Sequence, residues 1–353
     1  MFNPNFEITS SILKSIGQIE AAKAVIENSP LLPLYERQFK SEATARKVHF
    51  STAIEGNYLQ MSEVKKVISD ARLDIIRDEQ GSEVIARKRD LHEVINYRDV
   101  VKYIEKFNSK DFKLTEEVIK EIHKILLKNI MDEVAGEYRI GTAVTVNYKT
   151  GEKLYPYSDS SNVLVKMKEL INWYNSDYAH KMNPILRAGI LHLEIVRIHP
   201  FEEGNGRLAR ALATLSLSVE GYDVGHFFCL DEFYDSNSQD YYSSLAEGFV
   251  NLTIWLEYFA LGMSIEFNRV KDRVIKISKD AKIKEKTGQV FITERQEQII
   301  EWLNNFGFFR NQDFSELFSD ISDDTVLREL KGLLDAGIVE KKGKTKSARY
   351  TLI

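Results

Sequence analysis

Apolar residues recur every three or four positions along most of the chain, a pattern that predicts helices. Leu13, Ile16, Ile19 and Lys23 set this spacing in the first predicted helix, which stops near Asn28-Ser29-Pro30. Further helices are predicted over about 34–54, from Met61-Ser62 through Val64, Val67 and Ile68, over about 82–107, and over 113–131 behind Thr115. Between Val134 and Tyr148 the period is lost. β-Branched and aromatic residues gather on either side of Gly141, Thr150-Gly151 follows, and a short hairpin is predicted. Helices resume at about 160–176. Asn183-Pro184 then opens a helix with proline in its first turn, whose apolar face holds Ile185, Ala188, Gly189, His192, Ile195 and Val196. The pattern breaks at Ile198-His199-Pro200. It restarts after Gly204 with Leu208, Leu212, Leu215 and Val219, and ends at Gly221. From Phe291 a new unit begins. Three short helices carry Ile299, Trp302, Leu303 and Phe306, then Phe314, Leu317 and Phe318, then Val326, Leu330, Leu333 and Leu334. Residues 337–344 and 349–352 read as a two-stranded wing.

The length of 353 residues exceeds what one core usually supports, so two or three domains are expected. The balance of 48 Lys+Arg against 53 Asp+Glu excludes a uniformly basic nucleic-acid coat. A single cysteine, Cys229, excludes an intramolecular disulfide framework and a cysteine-based zinc site, and it reads as buried. His49, His92, His123, His180, His192 and His226 show no repeated ligand spacing and read as core or surface side chains. No long apolar run is present, so no membrane span is expected. The opening residues lack the charged and apolar regions of a leader, which makes the cytoplasm the expected location.

The segment His199-Pro200-Phe201-Glu202-Glu203-Gly204-Asn205-Gly206-Arg207-Leu208-Ala209-Arg210 carries the chemistry. It is a loop that runs into a helix N-terminus. Gly204 and Gly206 allow unusual dihedrals and close backbone approach. The amides at the helix start form an anion site. Arg207 and Arg210 oppose the helix dipole there, and an anionic ligand between them removes the conflict. His199 offers a base at the loop mouth and Glu203 a hard oxygen ligand for a divalent ion. A base, an anion nest, a carboxylate and two arginines describe a nucleotide-phosphate transfer site.

This stretch resembles the signature of the Fic family, H-P/x-F-x-D/E-G/A-N-G/K-R-x-x-R, with every defining position filled. The resemblance implies transfer of AMP from ATP to a protein hydroxyl. His199 is then the general base, and Phe201 pins the loop to the core. Glu203 holds Mg²⁺ against the α- and β-phosphates, and Asn205 contacts the α-phosphate. Gly204 and Gly206 offer backbone amides, and Arg207 and Arg210 grip the β- and γ-phosphates. Members acting as kinases carry lysine where Gly206 stands, so Gly206 favours nucleotidyl transfer. Residues from Gly136 to Val146, with Tyr138, Arg139, Val144 and Val146, resemble the family's target-docking flap, a hairpin that pairs with the substrate main chain. Asp240-Tyr241-Tyr242 resembles a segment that places tyrosine near the adenine, with Tyr242 favoured over Tyr241.

Ser51-Thr52-Ala53-Ile54-Glu55-Gly56-Asn57 resembles the family's inhibitory motif, S/T-x-x-x-E-G/N. Ser51 and Glu55 lie one helical turn apart, on one face. The resemblance implies that Glu55 pairs with Arg210 in place of the γ-phosphate and leaves ATP in an unproductive pose.

The expected architecture is mainly α. It comprises an N-terminal helical region with the inhibitory helix (1–98), a Fic-type helical core with a small β-hairpin flap (99–268), a basic helical linker (269–289) and a winged-helix-like domain (290–353). The linker reading rests on eight Lys/Arg against three Asp/Glu over 269–286. Lys341, Lys342, Lys344, Lys346 and Arg349 cluster at the wing, yet residues 290–353 hold nine basic against eleven acidic side chains and the candidate recognition helix opens on Asp323-Asp324. That favours protein contact there over DNA. The expected partners are ATP with Mg²⁺, a protein bearing a Ser, Thr or Tyr hydroxyl (this chain included), protein or DNA at the wing, and a second copy of the chain. The competing readings are a DNA-binding regulator whose core senses nucleotide, and an enzyme that removes AMP.

Overall fold

The computed structural model describes residues 2–29, 33–69, 88–107, 111–141, 144–146, 153–156, 159–286, 293–318, 321–343 and 348–352. Several sequence expectations fall outside them: the helix start at 82, residues 147–152 after the first hairpin strand, the linker end 287–289, Phe291, and wing residues Lys344 and Lys346.

The chain divides into two units. The first comprises Met1–Asn28, Lys40–Ile68 and Leu73–Asp272, the second Ser29–Phe39, Ser69–Arg72 and Arg273–Ile353. The helices run α1 (Ser10–Glu27), α2 (Pro33–Ala53), α3 (Met61–Ser69), α4 (Lys88–Ile104) and α5 (Glu116–Leu127). Strands β1 (Val144–Val146) and β2 (Lys153–Pro156) follow. Then come α6 (Ser160–Tyr174), α7 (Asp177–His180), α8 (Pro184–Ile198), α9 (Asn205–Val219), α10 (Asp231–Ser236), α11 (Ser238–Val250) and α12 (Leu252–Lys286).

In the first unit, α8 and α9 pack against each other at the centre. Helices α4 and α5 lie on α9, and α6 and α11 on α8. Every residue of α8 from Ile185 to Val196 is buried, which leaves little freedom to the loop that follows. Each fully buried Ile or Leu there contributes about 1.5–3 kcal/mol of transfer free energy. Thr115 caps α5 as expected, its hydroxyl accepting from the Val118 amide at 3.3 Å.

Two expectations shift. On α1 the buried stripe is Ile12, Ser15, Ile19, Ala22 and Ile26, while Leu13 is 59% exposed. Ser15 and Ala22 belong to that stripe despite low hydrophobicity, which a pattern of large apolar residues cannot register. The hairpin also lies later than the stretch from Val134 suggests. Val144–Val146 pairs antiparallel with Lys153–Pro156, whereas residues 132–136 form turns. Tyr138 and Arg139 are therefore off the strands, held instead under the loop after α8.

The second unit has its own core of Ile299, Leu303, Phe309, Phe314, Val326, Leu330 and Leu333. Helices α13 (Glu294–Phe306), α14 (Phe314–Leu317) and α15 (Asp323–Asp335) accompany a three-stranded antiparallel sheet. Its order is β3 (Phe309–Arg310), β5 (Arg349–Leu352), β4 (Val339–Lys342), one strand more than the sequence pattern suggests. Two residues are too few to show a period. Among the described residues no helix is long and apolar enough to cross a membrane.

Candidate active site

The loop between α8 and α9 is fixed from three sides. His199 caps α8 in the left-handed region (φ 50°, ψ 62°), and its amide donates to the Ile195 carbonyl at 2.9 Å. A non-glycine residue held there marks a backbone over-determined by its surroundings. Arg139 supplies part of that determination. Its Nε donates to the His199 carbonyl at 2.5 Å, its Nη2 to the Ile198 carbonyl at 3.3 Å, and its amide to the Pro200 carbonyl at 2.9 Å. Phe201 is fully buried, stacked on His123 with centroids 3.7 Å apart and tilted against Tyr138 at 5.2 Å. Asn205 closes the loop on itself. Its Oδ1 accepts from the Phe201 amide at 3.0 Å and its Nδ2 donates to the Phe201 carbonyl at 2.8 Å. Both ends of the amide expected to meet the α-phosphate thus brace the loop.

Gly204, with φ 79°, is the N-cap of α9 and offers no side-chain acceptor. The amides of the first turn are left for a ligand. Gly206 is glycine for a second reason: a Cβ there would stand 2.4 Å from Glu55 Oε1 and 3.3 Å from Arg210 Nη1.

The His199 imidazole is neutral. Burial pushes its imidazole down to about 4, Arg139 adds to the shift, and the Val196 carbonyl and Glu55 oppose it. Nδ1 lies 3.4 Å from the Val196 carbonyl, which can only accept, so Nδ1 carries the proton and Nε2 the lone pair. The ordinary value near 6.5, suited to the base role, is therefore not the one the loop sets.

Arg210 is buried within a ring of acceptors. Nη2 donates to Glu55 Oε1 at 2.8 Å and to the Ser51 carbonyl at 2.8 Å, and Nε donates to Ser51 Oγ at 3.0 Å. Asp231 Oδ1 lies 3.2 Å from Nε. Burial opposes the guanidinium charge, but Glu55, Tyr241 and Asp231 outweigh it and hold Arg210 well above its ordinary value. Burial likewise opposes ionisation of Glu55, and Arg210 and Arg207 outweigh it, so its carboxyl lies below the usual range.

Arg207 is also buried, and its Nε and Nη1 have no hydrogen-bond partner among the described residues. Nη2 donates to Glu203 Oε1 at 3.3 Å, and Nη1 lies 3.4 Å from Glu93 Oε1. Arg89 reaches the same Glu203 oxygen. Both guanidinium groups meet Oε1, leaving Oε2 without a partner among the described residues. Among them no cluster of three or more acidic, histidine or cysteine side chains could hold a metal ion. One carboxylate with an open oxygen fits Mg²⁺ only where phosphates complete the coordination, as is usual for that ion.

The remaining expected residues separate. Tyr241 is buried, its hydroxyl 3.0 Å from His192 Nε2 and its ring stacked on Tyr234 at 4.4 Å, so it backs Arg210 as a core side chain. Tyr242 is 38% exposed and its hydroxyl donates to the Ile54 carbonyl at 3.4 Å, in the turn that carries Glu55. Val144 and Val146 lie on β1. The sequence gives no hint of four contributors: His123, Asp231, Arg89 and Glu93. None belongs to a motif, and their roles depend on contacts between distant helices. His123 Nδ1 accepts from the Gly136 amide at 2.8 Å while Nε2 donates to the Glu203 carbonyl at 2.9 Å. Burial lowers its imidazole to about 4 and keeps it neutral for both bonds.

One loop and one helix N-terminus of this helical core thus gather a neutral histidine, two buried arginines and a carboxylate. Residues 113–217 match the family model described as Fic/DOC family. It is 25% identical over 224 residues to protein adenylyltransferase Fic of Drosophila willistoni, covering 62% of this chain and 42% of that one. It is 27% identical over 218 residues to protein adenylyltransferase fic-1 of Caenorhabditis briggsae, covering 61% and 39%. The chain thus spans about two-fifths of the length of these curated relatives. In fold it is similar to a Fic family protein from Desulfovibrio desulfuricans G20, with TM-score 0.64 and 21% identity, over 100% of this chain and 98% of that one. It is also similar to a Fic domain containing signaling protein from Bacteroides thetaiotaomicron, with TM-score 0.61 and 23% identity, over 77% and 97%.

Proposed function

We propose that this chain is a protein adenylyltransferase that moves AMP from ATP to a Ser, Thr or Tyr hydroxyl of a protein, itself included, and that Glu55 holds it at rest. The observation that carries the reading is the 2.8 Å pair between Glu55 and Arg210, set beside a neutral His199 and the uncapped start of α9. The relatives named as protein adenylyltransferases support the same activity.

His199 Nε2 takes the proton of the target hydroxyl. The hydroxyl oxygen attacks the α-phosphorus in line, the bond to the β-phosphate oxygen breaks, and pyrophosphate leaves. The amides of the first turn of α9 and the Arg207 guanidinium receive phosphate oxygens. In this water-poor setting such donors act without reorganising during the step. Arg210 binds the terminal phosphates once Glu55 releases it. Glu203, with its open oxygen, would hold Mg²⁺, which offsets phosphate charge when bound. Hairpin β1–β2 supplies an edge for the target main chain.

His199→Ala should lose about 10²–10⁴-fold in AMP transfer, the usual worth of a positioned general base. Binding of a fluorescent ATP analogue should be retained. Transfer at the parent rate would remove His199 from the mechanism.

A further inference from the structure

Arg89 stands in the first turn of α4 with its side chain 49% exposed. A cation there opposes the helix dipole and needs an external partner. It has two. Nη2 donates to Glu203 Oε1, and Nε donates to Glu93 Oε1 at 3.1 Å. Glu93, buried beneath it, lies 3.4 Å from Arg207 Nη1 and accepts from Asn57 Nδ2 at 2.9 Å. A connected chain of polar contacts therefore runs from Asn57, at the end of the Glu55 segment, through Glu93 and Arg89 to Glu203.

The two guanidinium groups on Glu203 differ in freedom. Arg207 is 3% exposed and fixed in α9, while Arg89 lies at the surface on a flexible stem. A divalent cation on that carboxylate would share its oxygens with the Arg89 charge, at a separation where like charges repel strongly. The carboxylate cannot hold both well.

We propose that Arg89 is a latch over Glu203 that competes with the divalent cation and must swing away when metal and nucleotide load. The proposal rests on the reading of Glu203 as the metal carboxylate. Because Glu93 holds Arg89 as well as Asn57, the latch shares its anchor with the segment that carries Glu55.

The test is Mn²⁺ binding, read from its paramagnetic resonance signal, with α,β-methylene-ATP present at saturation. Wild type, Arg89→Ala, Arg89→Lys and Glu203→Ala are compared, each checked for an unchanged melt. Arg89→Ala should bind Mn²⁺ about three- to tenfold more tightly, as expected for losing a part-exposed charge beside the ion, with Arg89→Lys between it and wild type. Equal affinity in Arg89→Ala and wild type would overturn the latch. Weaker affinity would also overturn it and make Arg89 a phosphate ligand. Glu203→Ala should bind Mn²⁺ far less well. Wild-type affinity in that variant would show that the underlying metal assignment is at fault, whatever Arg89→Ala does.

Discussion

At the scale of single residues, the least obvious feature is the protonation of His199. Burial lowers its imidazole to about 4, so its neutral form is present at pH 7 and persists well into acid. The acid limb of kcat/KM reports the free enzyme's base. In Glu55→Gly, where transfer can be measured, activity should stay flat from pH 8 to about 6 and fall only at lower pH. Removing Glu55 lowers the imidazole further, because its charge favours the protonated form. A midpoint near 6.5 would mean that the loop leaves His199 solvated.

Gly206 offers a second test at this scale. An added methyl would stand 2.4 Å from Glu55 Oε1, so Gly206→Ala must push that carboxylate aside. Through a disturbed ion pair it should cost on the order of 1 kcal/mol of stability in the parent and close to nothing in the Glu55→Gly background. Thermal melts of the four proteins give the coupling directly. An equal cost in both backgrounds would mean that the methyl strikes something else. The sequence already pointed to Gly206 and Glu55 separately, each by its motif. Their contact was not legible, because nothing in a linear pattern says that residues 55 and 206 meet.

At the scale of elements, α2 is anchored by buried ion pairs just before the turn that carries Glu55. Lys47 and Ser51 lie one turn apart on one face of α2, and Glu55 follows in the turn just past its end. Lys47 Nζ donates to both oxygens of Asp223 at 3.0 and 3.2 Å, with the two side chains 6% and 4% exposed. Arg46 adds bonds to Glu232 at 2.5 Å and Glu266 at 2.8 Å. Lys47→Met would leave Asp223 buried, with His226 as its remaining side-chain partner among the described residues. Removing one partner of a buried pair typically costs about 3–5 kcal/mol. Lys47→Met should therefore melt lower and, by loosening the helix that presents Glu55, transfer AMP faster than the parent though more slowly than Glu55→Gly. A lower melt with unchanged transfer would show that the Lys47 pair supports the fold alone.

Elements were read with uneven success, for physical reasons. Helices α8 and α9 were plain because an apolar face, a proline at the first turn and a terminal glycine agree. The stripe on α1 was displaced by one residue because Ser15 and Ala22 bury without being markedly apolar. The hairpin was placed too early because Tyr138 and the valine-rich stretch share a composition that suits a strand. Tyr138 instead packs on Phe201, and Arg139 braces the loop carbonyls. His123 looked like one more core histidine. Its bonds to the Gly136 amide and the Glu203 carbonyl appear only once α5 and the loop are side by side.

At the scale of the whole molecule, every residue assigned to the chemistry lies in the first unit, and the second has a separate core. Within the first unit, segments far apart in sequence meet at one guanidinium: Ser51 in the last turn of α2, Glu55 in the turn after it, and Asp231 at the start of α10. Asp231 is buried beside Arg210, whereas the Glu55 side chain is 31% exposed. On the proposed reading, that carboxylate decides whether Arg210 serves the protein or the nucleotide. The central claim is tested by incubating wild type and Glu55→Gly with α-labelled ATP and Mg²⁺ and counting AMP incorporated into protein. A part-buried ion pair of this kind involves a few kcal/mol, and each 1.36 kcal/mol is tenfold in rate, so Glu55→Gly should label about ten- to several-hundredfold faster. A Glu55→Gly protein that melts like the parent yet labels no faster would contradict the account.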